Sequence, residues 1–163
     1  MHERGGGGIF MRGTEANWTE WTDFGKGPMQ PDLIHALEEA RAAEKAQALF
    51  YRGLAAAAED RGDDALSERL NELHADEQHH VSRLTVRLME MGVAPAELEA
   101  RSGPASLEGW EGAARLREEA EVTFYHALLA RGQADDRTAA LLGEILETER
   151  HHAEELGGKW TPA

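Results

Sequence analysis

The chain contains no cysteine, and this absence excludes several kinds of chemistry. A disulfide framework, a cysteine-ligated zinc site, an iron–sulfur cluster and a thiol nucleophile are all ruled out. Basic residues are also scarce, with 17 Lys and Arg against 31 Asp and Glu, which gives a formal net charge of −14. Because nucleic acids and anionic membranes attract basic surfaces, we expect neither as a partner.

The sequence also lacks a long apolar run and a secretory-type leader, so we expect no membrane span and a cytoplasmic location. Its 163 residues correspond to one domain that is long enough to bury a core without disulfides. We predict a flexible Gly-rich arm over 1–31, a helical bundle over 32–157 and a short tail over 158–163. Trp18, Trp21 and Phe24 of the arm could instead dock on the bundle or on a partner.

Four segments show the apolar periodicity of helices, and no segment resembles a strand. The predicted helices run from about 33 to 61, from 65 to 91, from 106 to 131 and from 137 to 156. Asp or Ser stands at each start and Gly near each end, as helix termini prefer. Short turns join the first pair of helices and the second pair, whereas the connection from Gly92 to Pro104 could cross the length of a bundle. We therefore predict an all-α fold, a four-helix bundle of two antiparallel hairpins joined by a crossover.

The second hairpin repeats the first, and the repeat includes six polar residues that suit a metal. The first and third helices each contribute one Glu, and the second and fourth each contribute a Glu-x-x-His pair: Glu44, Glu118, Glu77, His80, Glu149 and His152. Residues three apart share a helix face, so each pair can hold one ion. A single such residue usually belongs to a solvated face, but agreement in type, spacing and repeat position favours a site. This ligand set is described for carboxylate-bridged di-iron and di-manganese bundles.

Glu121 makes the two hairpins unequal. It lies three residues after Glu118 on the same helix face, whereas the corresponding residue of the first helix is Gln47. We interpret Glu121 as a seventh ligand, and the alternative is an exposed carboxylate that pairs with a basic residue.

Two tyrosines also occupy equivalent positions in the repeat. Tyr51 and Tyr125 lie seven residues, nearly two turns, after Glu44 and Glu118 respectively, so we expect each phenol to stack over the Glu of its own helix. A buried phenol needs a hydrogen-bond partner, and a ligating carboxylate can serve as one. The two residues are candidate catalytic tyrosines, core aromatics, or both.

Over about residues 32–157, the sequence resembles the di-iron domain of rubrerythrin, within the ferritin-like superfamily. The motifs that carry this resemblance are Glu44, Glu77-x-x-His80, Glu118-x-x-Glu121 and Glu149-x-x-His152. The resemblance implies two bound iron ions, with manganese or a mixed pair possible, and the reduction of hydrogen peroxide or oxygen. It also implies that His80 and Glu121 exchange as ligands with redox state, and that Tyr51 lies near the site.

The chain departs from a typical rubrerythrin because, without cysteine, it carries no rubredoxin domain to supply electrons. We therefore expect an external electron-donor protein, and the resemblance implies a homodimer. Two other functions stay open. One is ferritin-like oxidation and storage of ferrous iron, and the other is a metal-stabilised bundle that serves only as an interaction module.

Overall fold

The computed structural model describes residues 33–98 and 105–159, and these residues form four α-helices. Helix α1 spans Leu33–Asp60, α2 spans Asp64–Glu90, α3 spans Trp110–Ala130 and α4 spans Asp136–Glu154, with a wide helical turn over Glu155–Lys159. The described part contains no strand, so the all-α prediction is confirmed. No helix within it has an apolar stretch long enough to cross a membrane. The predicted arm, with Trp18, Trp21 and Phe24, lies outside the described residues.

Aspartate side chains set the starts of α2 and α4. The carboxylate of Asp63 accepts a hydrogen bond from the amide of Leu66, and that of Asp135 accepts one from the amide of Thr138. Each carboxylate satisfies one of the amides that a helix leaves unpaired in its first turn. The repeated aspartates therefore fix two helix boundaries within a residue of the positions that the sequence predicts.

The start of α3 differs from the prediction. We expected the helix to begin near Ser106, but it begins at Trp110. The Ser106 hydroxyl accepts a hydrogen bond from the amide of Glu108 at 3.2 Å and so closes a local turn. Gly109 then has a φ of 68°, a left-handed conformation that no residue within a right-handed helix adopts. The helix therefore starts at the next residue, Trp110.

Two clusters of buried apolar side chains lie on either side of a polar middle layer. The first cluster combines the beginnings of α1 and α4 with the ends of α2 and α3, and its largest members include Leu37, Leu88, Phe124, Leu128 and Ile145. The second combines the end of α1 with the beginnings of α2 and α3, and includes Leu54, Leu70, Leu73 and Trp110. On α1, α2 and α3, the predicted metal ligands fall between the segments that build these clusters, and on α4 they follow the segment that contributes to the first cluster.

The connection that follows α2 is fixed to the beginning of α1 by the buried Arg41 and the partly buried Glu38. Arg41 donates to the Glu38 carboxylate at 2.7 Å and to the carbonyl of Ala96. The amide of Ala96 donates in turn to Glu38 at 2.9 Å. Because Arg41 is buried, these bonds hold the connection firmly against the helix.

Candidate metal centre

Seven buried polar residues from all four helices meet in the middle layer. They are the residues that the sequence analysis selected as metal ligands: Glu44, Glu77, His80, Glu118, Glu121, Glu149 and His152. None of them is more than 3 % exposed. Charged groups are rarely buried unless they are paired or bind a metal, so this cluster requires a chemical explanation.

Two groups of four residues within the cluster present ligand atoms that all lie within 4.8 Å of one another. The first group is Glu44, Glu77, His80 and Glu149, and the second is Glu77, Glu118, Glu149 and His152. Glu77 and Glu149 belong to both groups, so each can contact two ions, while the other Glu and His of each group can contact only one. The cluster could therefore hold a metal pair with two shared carboxylates.

His80 points one ring nitrogen into the first group. Its Nδ1 lies 2.7 Å from Glu149, 3.1 Å from Glu44 and 3.3 Å from Glu77, measured to the nearest carboxylate oxygen. Three carboxylates thus converge on one imidazole nitrogen. A divalent ion could take the place of the proton that this nitrogen shares with them.

His152 points the same nitrogen into the second group. Its Nδ1 lies 3.2 Å from Glu149, 3.4 Å from Glu77 and 3.5 Å from Glu118. Its other nitrogen, Nε2, lies 3.3 Å from the carboxylate of Asp76, a residue that the sequence analysis did not select. When Nε2 donates its proton to Asp76, the lone pair of Nδ1 is free to bind a metal.

Unpaired carboxylate oxygens test whether the cluster fits metal ions. Both oxygens of Glu77 and of Glu121, and one each of Glu118 and Glu149, are buried without a well-aligned hydrogen bond from any described residue, although the rings of His80 and His152 lie close to several of them. Leaving a buried charged oxygen unpaired costs several kcal/mol by order of magnitude, and a divalent cation removes that cost. The donor set of carboxylate oxygen and imidazole nitrogen, without sulfur, suits iron or manganese. The residues therefore fit such a pair.

The carboxyl groups differ in their affinity for protons. Burial, with repulsion from neighbouring carboxylates, raises the pKa of Glu77 and Glu121 well above the ordinary value. The same causes raise the pKa of Glu149 to about 7. Burial also acts to raise the pKa of Glu118, but its hydrogen bond with His152 and the charge of that ring lower it overall. Without metal, burial and mutual repulsion therefore favour the protonated forms of Glu77, Glu121 and Glu149.

Both imidazoles hold protons strongly in the metal-free cluster. Burial alone would lower the pKa of His80, but hydrogen bonds with Glu149, Glu44 and Glu77 raise it to about 12. The pKa of His152 is also raised despite burial, because its ring hydrogen-bonds Asp76 and the neighbouring glutamates. Since only a neutral ring nitrogen binds a metal, loading the centre must release these protons.

Glu121 is 1 % exposed, so the alternative of an exposed ion pair is wrong. Neither four-residue group includes it, although both of its oxygens are unpaired. Glu44 is the neighbouring charge that raises its pKa most, which associates Glu121 with the half of the centre that Glu44 and His80 form. Its role as a seventh ligand stays a prediction.

Each tyrosine hydrogen-bonds a glutamate of the other hairpin. The hydroxyl of Tyr51 donates to Glu118, and that of Tyr125 donates to Glu44. Our expectation that each phenol would stack over its own helix's Glu is wrong, because seven residues separate the two by about 10 Å of helix while the facing helix is nearer. Burial, followed by these carboxylates, raises the pKa of both phenols well above its usual value.

Gln47 occupies the position on α1 that corresponds to Glu121 on α3. Its side-chain amide donates to Glu118 at 2.9 Å. Arg117 donates to the Gln47 carbonyl oxygen at 3.4 Å and stacks over the Phe50 ring, 4.3 Å from its centroid. Glu118 is therefore held by the neutral side chain of Gln47, which Arg117 holds in turn. The equivalent position beside Glu44 is occupied by Glu121, whose carboxyl oxygens are unpaired.

No protein-family model matches this chain, and no curated protein matches it either. The buried cluster is therefore the basis for any functional assignment, because a helical bundle alone serves many unrelated activities.

Proposed function

We propose that the protein is a rubrerythrin-like non-haem di-iron protein that reduces hydrogen peroxide, or oxygen, with electrons from an external donor protein. The observation that carries this proposal is that two ligand groups share Glu77 and Glu149. Shared carboxylates bring two ions together and compensate their changing charge, as two-metal chemistry requires. Manganese or a mixed pair would use the same residues.

The apolar clusters support a ferritin-like arrangement of two hairpins joined by a crossover. The ends of α2 and α3 contribute to the first cluster, and the beginnings of both contribute to the second. Two helices that share both ends in this way run in the same direction. Such a pair of helices supports the crossover that we propose between them, which is the layout of ferritin-like bundles.

A reduced iron pair supplies one electron per ion, so that hydrogen peroxide, two electrons and two protons give two water molecules. The chain's own residues position and protonate this centre. Glu77 and Glu149 hold the two halves together, and the hydroxyls of Tyr51 and Tyr125 place protons beside the remaining carboxylates. The sequence has no cysteine to hold an iron–sulfur donor, which supports an external electron donor in this proposal.

Metal content tests the site before any activity is measured. Protein reconstituted with ferrous iron without oxygen should retain two ions per chain after desalting, one for each ligand group. Glu77→Ala and Glu149→Ala should each lose both ions because they remove a shared ligand, whereas Glu44→Ala should lose mainly one. Glu72→Ala is the matched control, since this glutamate of α2 is exposed, and it should retain both. Fewer than one ion per wild-type chain would contradict the proposal.

Stopped-flow mixing then distinguishes the reactions. The diferrous protein should be oxidised faster by hydrogen peroxide than by oxygen, and an equal or slower reaction would exclude the peroxidase. Many ferrous ions oxidised per chain, with ferric iron retained, would instead support ferritin-like storage. The buried, unpaired Glu121 favours a fully liganded permanent site over one that passes iron onward. Metal binding without either reaction would support an interaction module.

A further inference from the structure

The two halves of the candidate centre are supported differently, although they arise from repeated segments. His152 is held from outside, because its Nε2 lies 3.3 Å from the carboxylate of Asp76. Asp76 directly precedes the shared glutamate of its helix, and Thr148 occupies the equivalent position on α4. The Thr148 hydroxyl donates to the carbonyl of Glu144 at 3.2 Å, within its own helix. The position that corresponds to Asp76 therefore offers His80 no carboxylate.

The glutamates of the two halves also differ in support, and Glu118, in the same half as His152, again has the greater number of supporting side chains. Glu118 accepts hydrogen bonds from both Gln47 and Tyr51. Glu44 hydrogen-bonds its own ligand histidine, His80, at 3.1 Å, and accepts one further bond, from Tyr125. The residue equivalent to Gln47 is Glu121, whose oxygens have no hydrogen-bond partner among the described residues. Glu118 and His152, the two residues that only this half uses, are thus held by neighbouring side chains before any ion arrives.

We propose that Asp76 is a positioning residue that makes the Glu118–His152 half the tighter metal site, so that this half fills first. The inference rests on the proposed two-metal function. A carboxylate that accepts the outer proton of a ligating histidine fixes its tautomer and ring orientation and makes the inner nitrogen a better donor. Removing such a partner typically weakens metal affinity about 10–100-fold. Among the residues that the structure describes, none gives the Glu44–His80 half equivalent support, so its ion binds second and more weakly.

Asp76 can be replaced without disturbing the core, because its side chain is largely exposed. Its side chain is 53 % exposed, while the ring that it contacts is buried. Replacing Asp76 therefore leaves the apolar clusters intact, and a change in metal affinity can be separated from unfolding. Asp76→Asn retains an oxygen that can accept the proton of His152 Nε2, so it serves as the conservative variant.

Calorimetric titration of the metal-free full chain with Mn²⁺ tests the proposal, because Mn²⁺ binds these ligands without oxidation. Wild type should bind two ions in two steps of unequal affinity. Asp76→Ala should weaken the tighter step about 10–100-fold and leave the weaker step within about threefold. Asp76→Asn should recover most of the loss. Thr148→Asp, which introduces a carboxylate at the equivalent position, should strengthen the weaker step.

Electron paramagnetic resonance gives a second readout that a loss of stability would not mimic. The first Mn²⁺ equivalent should give the signal of an isolated ion, which weakens when the second ion binds beside it. Asp76→Ala should instead give both signals together from the first addition. Failure of wild type to bind two ions would contradict the proposed function. Two bound ions with equal steps, or an Asp76→Ala variant that weakens both steps or neither, would refute only the role of Asp76.

Discussion

Removing metal should give this protein an unusual dependence of stability on pH. In the metal-free protein, burial and neighbouring carboxylates raise the pKa of Glu149 from 4.5 to about 7. A carboxyl with a raised folded pKa binds more protons in the folded than in the unfolded chain. Its contribution to the free energy of unfolding is therefore complete below the pKa that it has in the unfolded chain. This contribution is lost as pH rises through the pKa that it has in the folded protein. We expect the metal-free protein to lose stability between about pH 4.5 and pH 7.

A pKa that rises from 4.5 to about 7 corresponds to about 3 kcal/mol of unfolding free energy from Glu149 alone. Glu77 and Glu121 act in the same direction because their pKa values are raised as well. The pKa of His80 rises from 6.5 to about 12 on folding, so this residue extends the loss of stability to pH values above 6.5. Glu118 has a lowered pKa, so its stabilising contribution is lost only in acid below this window.

Urea unfolding of chelator-treated protein at several pH values measures this dependence. Glu149→Gln should flatten the slope, since the amide does not titrate. Metal-loaded protein should show the opposite slope, because protons compete with the ions for the same ligands as pH falls. A metal-free protein whose stability increases from pH 5 to pH 7 would refute the reasoning from buried carboxyls.

Two further changes separate the centre from the apolar clusters. Tyr51→Phe and Tyr125→Phe should each destabilise the metal-free protein by about 1.5–3 kcal/mol in urea unfolding, because Glu118 or Glu44 loses a hydrogen bond from a phenol. Slower oxidation by peroxide at unchanged metal content would identify them as catalytic, whereas an unchanged rate would leave only the structural role. Leu142→Ala should cost about 2–5 kcal/mol while metal content stays at the wild-type value, because Leu142 is fully buried in an apolar cluster. Metal loss in this variant would show that the clusters and the centre are coupled.

The sequence predicts the ligand cluster because two signals coincide there. A Glu-x-x-His pair on one helix has little meaning, but its recurrence at the equivalent place in a second hairpin selects the residues that the structure buries together. The repeat does not predict Asp76, because the equivalent position in the second hairpin is occupied by Thr148 and not by a second aspartate. Its contact with His152 depends on how two helices face each other, which no single helix reveals.

The same limit explains the tyrosines and the start of α3. Helical spacing places Tyr51 correctly on the inner face of α1, but its partner lies on another helix. Near Ser106, a side-chain hydrogen bond and the left-handed Gly109 compete with helix formation, and periodicity does not detect either. Residues that act within one helix are predicted well, whereas partners across helices depend on packing.

The two apolar clusters have a consequence for the order in which the protein matures. The first cluster, which includes Leu37 and Leu88, joins all four helices, and the second, which includes Leu54 and Leu70, joins α1, α2 and α3 on the other side of the middle layer. Small zinc domains fold only around their ion, but here the chain can collapse while the middle layer still holds protons. The newly made chain would therefore reach its native shape first and exchange protons for metal afterwards. When metal is scarce, the metal-free protein would therefore accumulate in a folded state that can still bind metal, and not as unfolded chains.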